Sequence, residues 1–331
     1  MESLLIAVVV VALLFDYTNG FHDAANAVAT AISTRAVPPN VALAAAAVLN
    51  VIGALVSTNV AATLAKGIVS ASAVTPPVMF GGLVGAIAWN LLTWWWALPS
   101  SSSHCLIGGV AGAVLATSGP SQVQWAGIVE KVLIPTVCAP LIGFGVGIAL
   151  MVVILWTFRK AHPGVLQRRF RSAQLVSASF MAFSHGSNDA QKTMGVITLA
   201  LFSAGEIATV EVPLWVKLAS AVVIGLGTYS GGRRIIRTLG MRLVKLTPVH
   251  GFAAETAASA VLLGTAHFGF PVSTTHVIST SIMGVGATQR LSAVRWGLTR
   301  DILVAWLLTL PAAGLVGGAC ALLSQYAFGP R

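Results

Sequence analysis

One acidic motif occurs twice in this chain, each time inside apolar sequence. Residues 19–26 read Asn19-Gly20-Phe21-His22-Asp23-Ala24-Ala25-Asn26, and residues 185–192 read His185-Gly186-Ser187-Asn188-Asp189-Ala190-Gln191-Lys192. Gly20 aligns with Gly186 and Asp23 with Asp189, at an offset of 166. A carboxylate is costly in hydrocarbon surroundings, so two at matched places mark a functional site. A duplicated pair also predicts two structural halves facing one another, as in many transporters.

Two further matches support the duplication. Pro99-Ser100-Ser101-Ser102-Ser103-His104 pairs with Pro271-Val272-Ser273-Thr274-Thr275-His276 at an offset of 172, and Thr75-Pro76 pairs with Thr247-Pro248 at the same offset. The expected organisation is a first repeat over 1–157, a basic cytoplasmic linker over 158–172, and a second repeat over 173–331.

The surroundings decide the class. Of 331 residues, 56% are hydrophobic and 8% charged, with a mean hydropathy of +0.87; a soluble domain carries about 25% charged residues. The fold class expected is an all-α polytopic membrane protein, built of two inverted-topology repeats with broken or re-entrant helices and about 10–12 transmembrane segments. The apolar runs are continuous rather than alternating, which argues against a β-barrel. Ser3 to Leu14 lacks a basic leader and reads as a retained span rather than a signal peptide. The net charge of +10 sits in short loops between spans, where it sets orientation and meets lipid headgroups. No nucleic-acid partner is expected. Cys105, Cys138 and Cys320 lie far apart in apolar sequence, so neither a metal site nor a disulfide framework is expected.

Apolar segments fall at 3–18, 40–65, 78–98, 104–117, 132–157, 174–184, 194–204, 212–230, 249–268, 276–287 and 301–325. A full crossing needs about 20 residues, so the shorter pieces read as half-helices beside the polar motifs. Arg35, the run from Arg159 to Arg171, the set Arg233 to Lys245, and Arg290, Arg295 and Arg300 are expected on the cytoplasmic side; Glu2, Lys66, Glu206 and Glu211 are expected opposite. This traces five passes inward through 1–157 and five outward through 173–325, with both termini outside.

The motifs suggest an anion site with its driving ion. Ser and Thr after a proline suit a helix N-terminus, where free N–H groups and the dipole favour an oxyanion. The plainer reading, capping alone, loses weight because the run is duplicated. Two such ends from inverted halves would cradle a tetrahedral anion, which makes Ser101, Ser102, Ser103, Ser273, Thr274 and Thr275, with Asn26, Asn188 and Lys192, the substrate-binding candidates. Asp23 and Asp189 repel an anion, so their expected work is holding a cation or proton beside it; the plainer reading is a cap of a broken helix at Gly20 or Gly186. His22, His185 and the membrane-embedded Glu255 join them as ion-coupling candidates. Lys192 stands where the first copy has Asn26, three positions after Asp189 on one helical face. Such a fixed positive charge could take the place of a bound cation, which favours H+ over Na+ as the coupling ion. His104 and His276 could orient the hydroxyl runs, while Asn50, Asn59 and Asn90 read as interhelical hydrogen-bonders.

Gly20 to Thr30 and Ser184 to Lys192 closely resemble the paired signatures of the inorganic phosphate transporter (PiT) family. The two hydroxyl runs and Gly251-Phe252-Ala253-Ala254-Glu255 are similar to it too, so the resemblance spans both halves. It implies a secondary active symporter of inorganic phosphate, free or as a metal-phosphate complex, without a cofactor and in the form of a homodimer. It also implies that Asp23, Asn26, His185, Asp189, Glu255 and the six hydroxyl residues lie at or near the substrate and ion sites. The departures, His22 and Lys192, stand where sodium-coupled members carry asparagine-type residues. They make the chain more similar to the proton-coupled, low-affinity permeases of the bacterial cytoplasmic membrane. Two alternatives remain at this point. A sulfate permease of the same fold would lack use for carboxylate acceptors facing a protonated anion. An intramembrane serine hydrolase would need one hydroxyl paired to one base, not runs of hydroxyls appearing twice.

Overall fold

The computed structural model describes residues 2–328. Met1 and 329–331, the outer ends of the two expected repeats and the positions on which the orientation of the termini bears, lie outside the described residues. The elements are α1 (Glu2–Ser33), α2 (Pro39–Ala54), α3 (Asn59–Gly67), α4 (Pro76–Trp95), α5 (Ser102–Ser118), α6 (Trp125–Ile128), α7 (Ile134–Thr157), α8 (Pro163–Ser203), α9 (Leu214–Ser230), α10 (Arg233–Arg237), α11 (Pro248–His267), α12 (Thr274–Ala287) and α13 (Trp296–Phe328). A π-helical stretch, Val129–Leu133, joins α6 to α7, and another, Thr238–Leu243, extends α10.

Among the described residues, four helices are long and apolar enough to cross a membrane: α1, α4, α6 with α7, and α13. Two bent pairs, α2 with α3 at 67° and α9 with α10 and its extension at 60°, raise the number to six. The packing is that of a membrane protein. Leu141, Trp156, Leu307, Leu315 and Leu323 are exposed on the outer faces of α7 and α13, while charged and amide side chains are buried inside.

The element order of residues 2–157 recurs after Pro163. Each time a long helix is followed by a bent pair, a helix opened by Thr-Pro, a short helix opened by the hydroxyl run, a 3-10 turn and a long apolar helix; the first set has an extra 3-10 turn, Ala71–Ala73, before its Thr-Pro helix. The residue two before each proline of the hydroxyl runs is left-handed, Ala97 at φ 57° and Gly269 at φ 73°. The two sets of helices exchange partners. α1 packs on α9 and α8 on α2; α4 and α5 pack on α13, and α11 and α12 on α7.

The acidic motifs differ from the sequence expectation. Residues 174–184 and 194–204 are not separate half-helices: all but Ala204, the C-cap, lie in the 41-residue α8, which also absorbs 163–172 of the expected linker. The first motif likewise lies within unbroken α1. The motif carboxylates and the Asn26 amide are bonded by hydroxyls of neighbouring helices, so the backbone ladder need not open. Gly20 and Gly186 therefore do not bend the chain; they let helices touch. A Cβ on Gly20 would lie 2.5 Å from the Ile224 carbonyl oxygen of α9, and one on Gly186 would enter the Asn50 carbonyl of α2. Gly186→Val should destabilise the protein by about 1–3 kcal/mol by overpacking the α2–α8 crossing, read as a lower unfolding temperature in detergent; an unchanged value would remove this role. The expected broken helices occur instead at 55–58 and 231–232, and short α5 and α12 begin where their proline-hydroxyl runs end.

Candidate functional site

α1 and α8 run antiparallel through the centre of the molecule. Thr34 donates to Gln174 Oε1 at 2.7 Å at one end, Asp16 lies beside Thr193 at the other, and Asp23 and Asp189 fall between. Asp16, Asn19, Asp23, Asn26 and Thr30 repeat at alternating steps of three and four, which puts them on one face of α1. On α8, His185, Asn188, Asp189 and Lys192 follow the same logic. All these side chains are buried.

The N-termini of α5 and α12 meet this pair of helices. Ser101 and Ser273 are their N-caps, accepting from the N–H of His104 at 3.2 Å and His276 at 3.3 Å. That leaves the next residues facing the carboxylates. Ser102 donates to Asp23 Oδ2 at 2.7 Å, Thr275 to Asp23 Oδ1 at 3.3 Å, and Thr274 to Asp189 Oδ2 at 3.4 Å. Asn26 donates to the hydroxyls of Thr274 and Thr275 at 3.1 and 2.9 Å. Ser103 instead donates to the Val272 carbonyl at 3.2 Å, tying one hydroxyl run to the other. The two dipoles thus converge on one buried, hydroxyl-lined point, the setting that favours an oxyanion.

The charges are arranged asymmetrically. Lys192 Nζ donates to Asp189 Oδ1 at 2.7 Å, and His22 Nδ1 donates to Asp23 Oδ1 at 2.6 Å. Asp23, His185 and Asp189 each offer one atom, all within 4.8 Å of one another. The Lys192 ammonium already places one positive charge in this cluster. The tautomer of His185 follows from its neighbours. Thr228 donates its proton to the Ile224 carbonyl at 2.9 Å, so its oxygen accepts from Asn50 Nδ2 at 2.7 Å. Asn50 Oδ1 is then turned to His185 Nδ1 at 3.1 Å, which must carry the proton. His185 Nε2 is left as a lone pair 3.6 Å from Asp189 Oδ2. A second proton on the ring would complete that contact.

Other expectations fall differently. Glu255 is not part of the centre. It accepts from Thr30 at 2.5 Å and Gln174 at 3.0 Å on one oxygen and from Ser177 on the other, two turns along α1 from Asp23. Asn188 is buried at the centre, but neither of its side-chain polar atoms has a hydrogen-bond partner. His104 and His276 do not orient the hydroxyls. Their rings meet edge to face at 5.0 Å; His104 binds Thr136, and His276 stacks on Trp306 at 3.8 Å. Asn50, Asn59 and Asn90 do make interhelical hydrogen bonds, to Thr228, His267 and Thr18. Sequence reasoning missed Asp16, fully buried with both carboxylate oxygens unpartnered, and the Thr30, Gln174 and Ser177 cage of Glu255. The signal for Asp16 was present: a carboxylate inside an apolar segment, seven residues before Asp23.

Residues 19–317 match the profile of the phosphate transporter family. The chain belongs to the phosphate transporter family. It is 52% identical over 320 residues to a probable low-affinity inorganic phosphate transporter of Mycobacterium bovis, covering 95% of this chain and 76% of that one. Proteins described in the same words from Rhizobium meliloti and Bacillus subtilis are 47% and 42% identical, over 96% and 95% of this chain and 95% of each of theirs. A solved structure titled the sodium-dependent phosphate transporter shares the fold, with a TM-score of 0.87 at 24% identity over 98% of this chain and 99% of that one. Family and fold are those of multi-pass membrane transporters, not enzymes.

Proposed function

We propose that this chain is a proton-coupled symporter of inorganic phosphate in the bacterial cytoplasmic membrane, working by alternating access between two inverted repeats, 1–157 and 173–331. The observation that carries this reading is the meeting of two hydroxyl-bearing helix ends around a carboxylate pair that holds its own ammonium. Ser102, Thr274 and Thr275, with the first-turn N–H groups of α5 and α12, form the anion cradle. Asn26 and Lys192 complete it, with Asn188 at its edge. Ser101, Ser103 and Ser273 shape it from behind, through their bonds to backbone.

Two features support protons over sodium, and one supports phosphate over sulfate. Lys192 occupies the charge that a bound sodium would bring. His22 and His185 stand beside the carboxylates, and His185 Nε2 offers a proton seat facing Asp189. Phosphate keeps protons of its own at neutral pH and can donate to carboxylates, which sulfate cannot. The antiparallel run of α1 and α8, the first helices of the two halves, supports inverted topology, and rocking of one helix group against the other would open the buried centre to each side in turn. Glu255 serves this scheme from outside the centre. The reading also takes the assembly to be a homodimer, with both termini outside, and leaves free and metal-complexed phosphate as forms of one substrate.

The test is uptake of radiolabelled phosphate into proteoliposomes. An inward pH gradient without sodium should drive accumulation, with excess sulfate a weak competitor. Uptake that requires a sodium gradient and ignores pH would falsify the coupling, and equal competition by sulfate would remove the substrate assignment.

A further inference from the structure

The polar face of α1 continues past the phosphate centre to Asp16. This carboxylate is fully buried, and neither oxygen has a hydrogen-bond partner. An unpaired buried carboxylate is strongly disfavoured as an anion, so the site calls for a proton or a cation. The Thr193 hydroxyl lies beside it, itself buried and unpartnered. The charged groups that bear on Asp16 include Asp189 and Lys192 of α8. α4 carries no ionisable residue, and those of α9 are Lys217, half-buried, and Tyr229, exposed. Lys192 is already paired with Asp189, so its charge is not free for Asp16. A proton needs no further ligand.

Position adds the second argument. Asp16 lies about 10 Å along α1 from Asp23, two helical turns away. Between them, Asn19 and Asn188 are buried with both side-chain polar atoms unpartnered. Structural amides bond their neighbours; these are left with donors and acceptors to spare along the line from Asp16 to the centre.

Resting on the proton-coupled reading above, we propose that the Asp16 carboxyl beside Thr193 is a proton-binding site on the coupling route, loading and unloading the proton that accompanies phosphate at the Asp23–Asp189 centre. Asp16 takes the proton as the neutral acid and returns it to the centre. Asn19 and Asn188 hydrogen-bond the water that carries it, and no other bond is made or broken.

The experiment compares wild type, D16N and D16E in proteoliposomes, reading phosphate–phosphate exchange without gradients and accumulation driven by a pH gradient. For D16N, pH-driven accumulation should fall about tenfold or more, in the range of site-to-site couplings, while exchange stays within about threefold. D16E should recover accumulation. D16N with wild-type accumulation overturns the inference while leaving the proton-coupled reading intact, and so does a D16N that loses exchange and accumulation equally. A wild type that ignores the pH gradient overturns both. Should D16N fail to fold, infrared difference spectra of wild type and D16E at two pH values decide: a protonated-carboxyl band that shifts in D16E supports the inference, and its absence overturns it.

Discussion

Asp23→Asn should reduce phosphate uptake by about 100-fold while the protein still folds. Asp23 gathers three elements: His22 on its own helix, Ser102 on α5 and Thr275 on α12. An amide keeps the shape and volume but gives up the charge. The two interhelical hydrogen bonds then lose their ionic character, each worth about 1.5 kcal/mol, and at 1.36 kcal/mol per decade the pair corresponds to about two decades of rate. The amide also presents a donor where the hydroxyls already donate. Initial rates in proteoliposomes, set against gel-filtration behaviour and unfolding temperature, check this. Wild-type uptake in Asp23→Asn would take the carboxylate out of the mechanism.

Lys192→Met should be costly in two ways at once. It leaves Asp189 as a buried charge whose remaining contacts are the Thr274 hydroxyl at 3.4 Å and His185 Nε2 at 3.6 Å. Breaking a buried pair from one side costs about 3–5 kcal/mol, whereas removing both partners is often close to neutral. The double variant Lys192→Met with Asp189→Asn should therefore recover most of the unfolding temperature lost by the single variant, yet carry no phosphate. Non-additivity of this size is expected only for groups in direct contact. Additive losses would show that the ion pair at 2.7 Å does not hold the site together. Recovery of uptake in the double variant would show that the pair is structural only.

Both predictions rest on residues that could be named from the amino-acid order. Their geometry could not. Buried charge is rare in apolar sequence because of its solvation cost, so Asp23, Asp189 and Lys192 stood out, and duplication matched each to a partner. The hydroxyl runs were legible for a similar reason: proline ends one conformation and opens a helix, which is what α5 and α12 do. Glu255 was visible as a charge but not as a member of a separate cage. Its partners, Thr30, Gln174 and Ser177, are ordinary polar residues that gain meaning only when α1, α8 and α11 are brought together. Asp16 was passed over because no second copy marks it.

The amino-acid order alone determined that the chain is a helical membrane protein, that its working parts come in pairs, and which side chains are too costly to be incidental. These follow from local quantities: hydropathy, helical spacing and the price of burying charge. Tertiary structure decided the rest. Whether a motif breaks its helix depends on whether neighbouring helices satisfy its carboxylates, and here they do, so α1 and α8 run unbroken. Whether a glycine bends a chain or admits a neighbour depends on what lies against it, and at Gly20 and Gly186 it is another backbone. Which hydroxyls cap, which tie the two runs together and which face the carboxylates is set by how α5 and α12 dock on the antiparallel pair, an arrangement of parts far apart in sequence that no local pattern encodes.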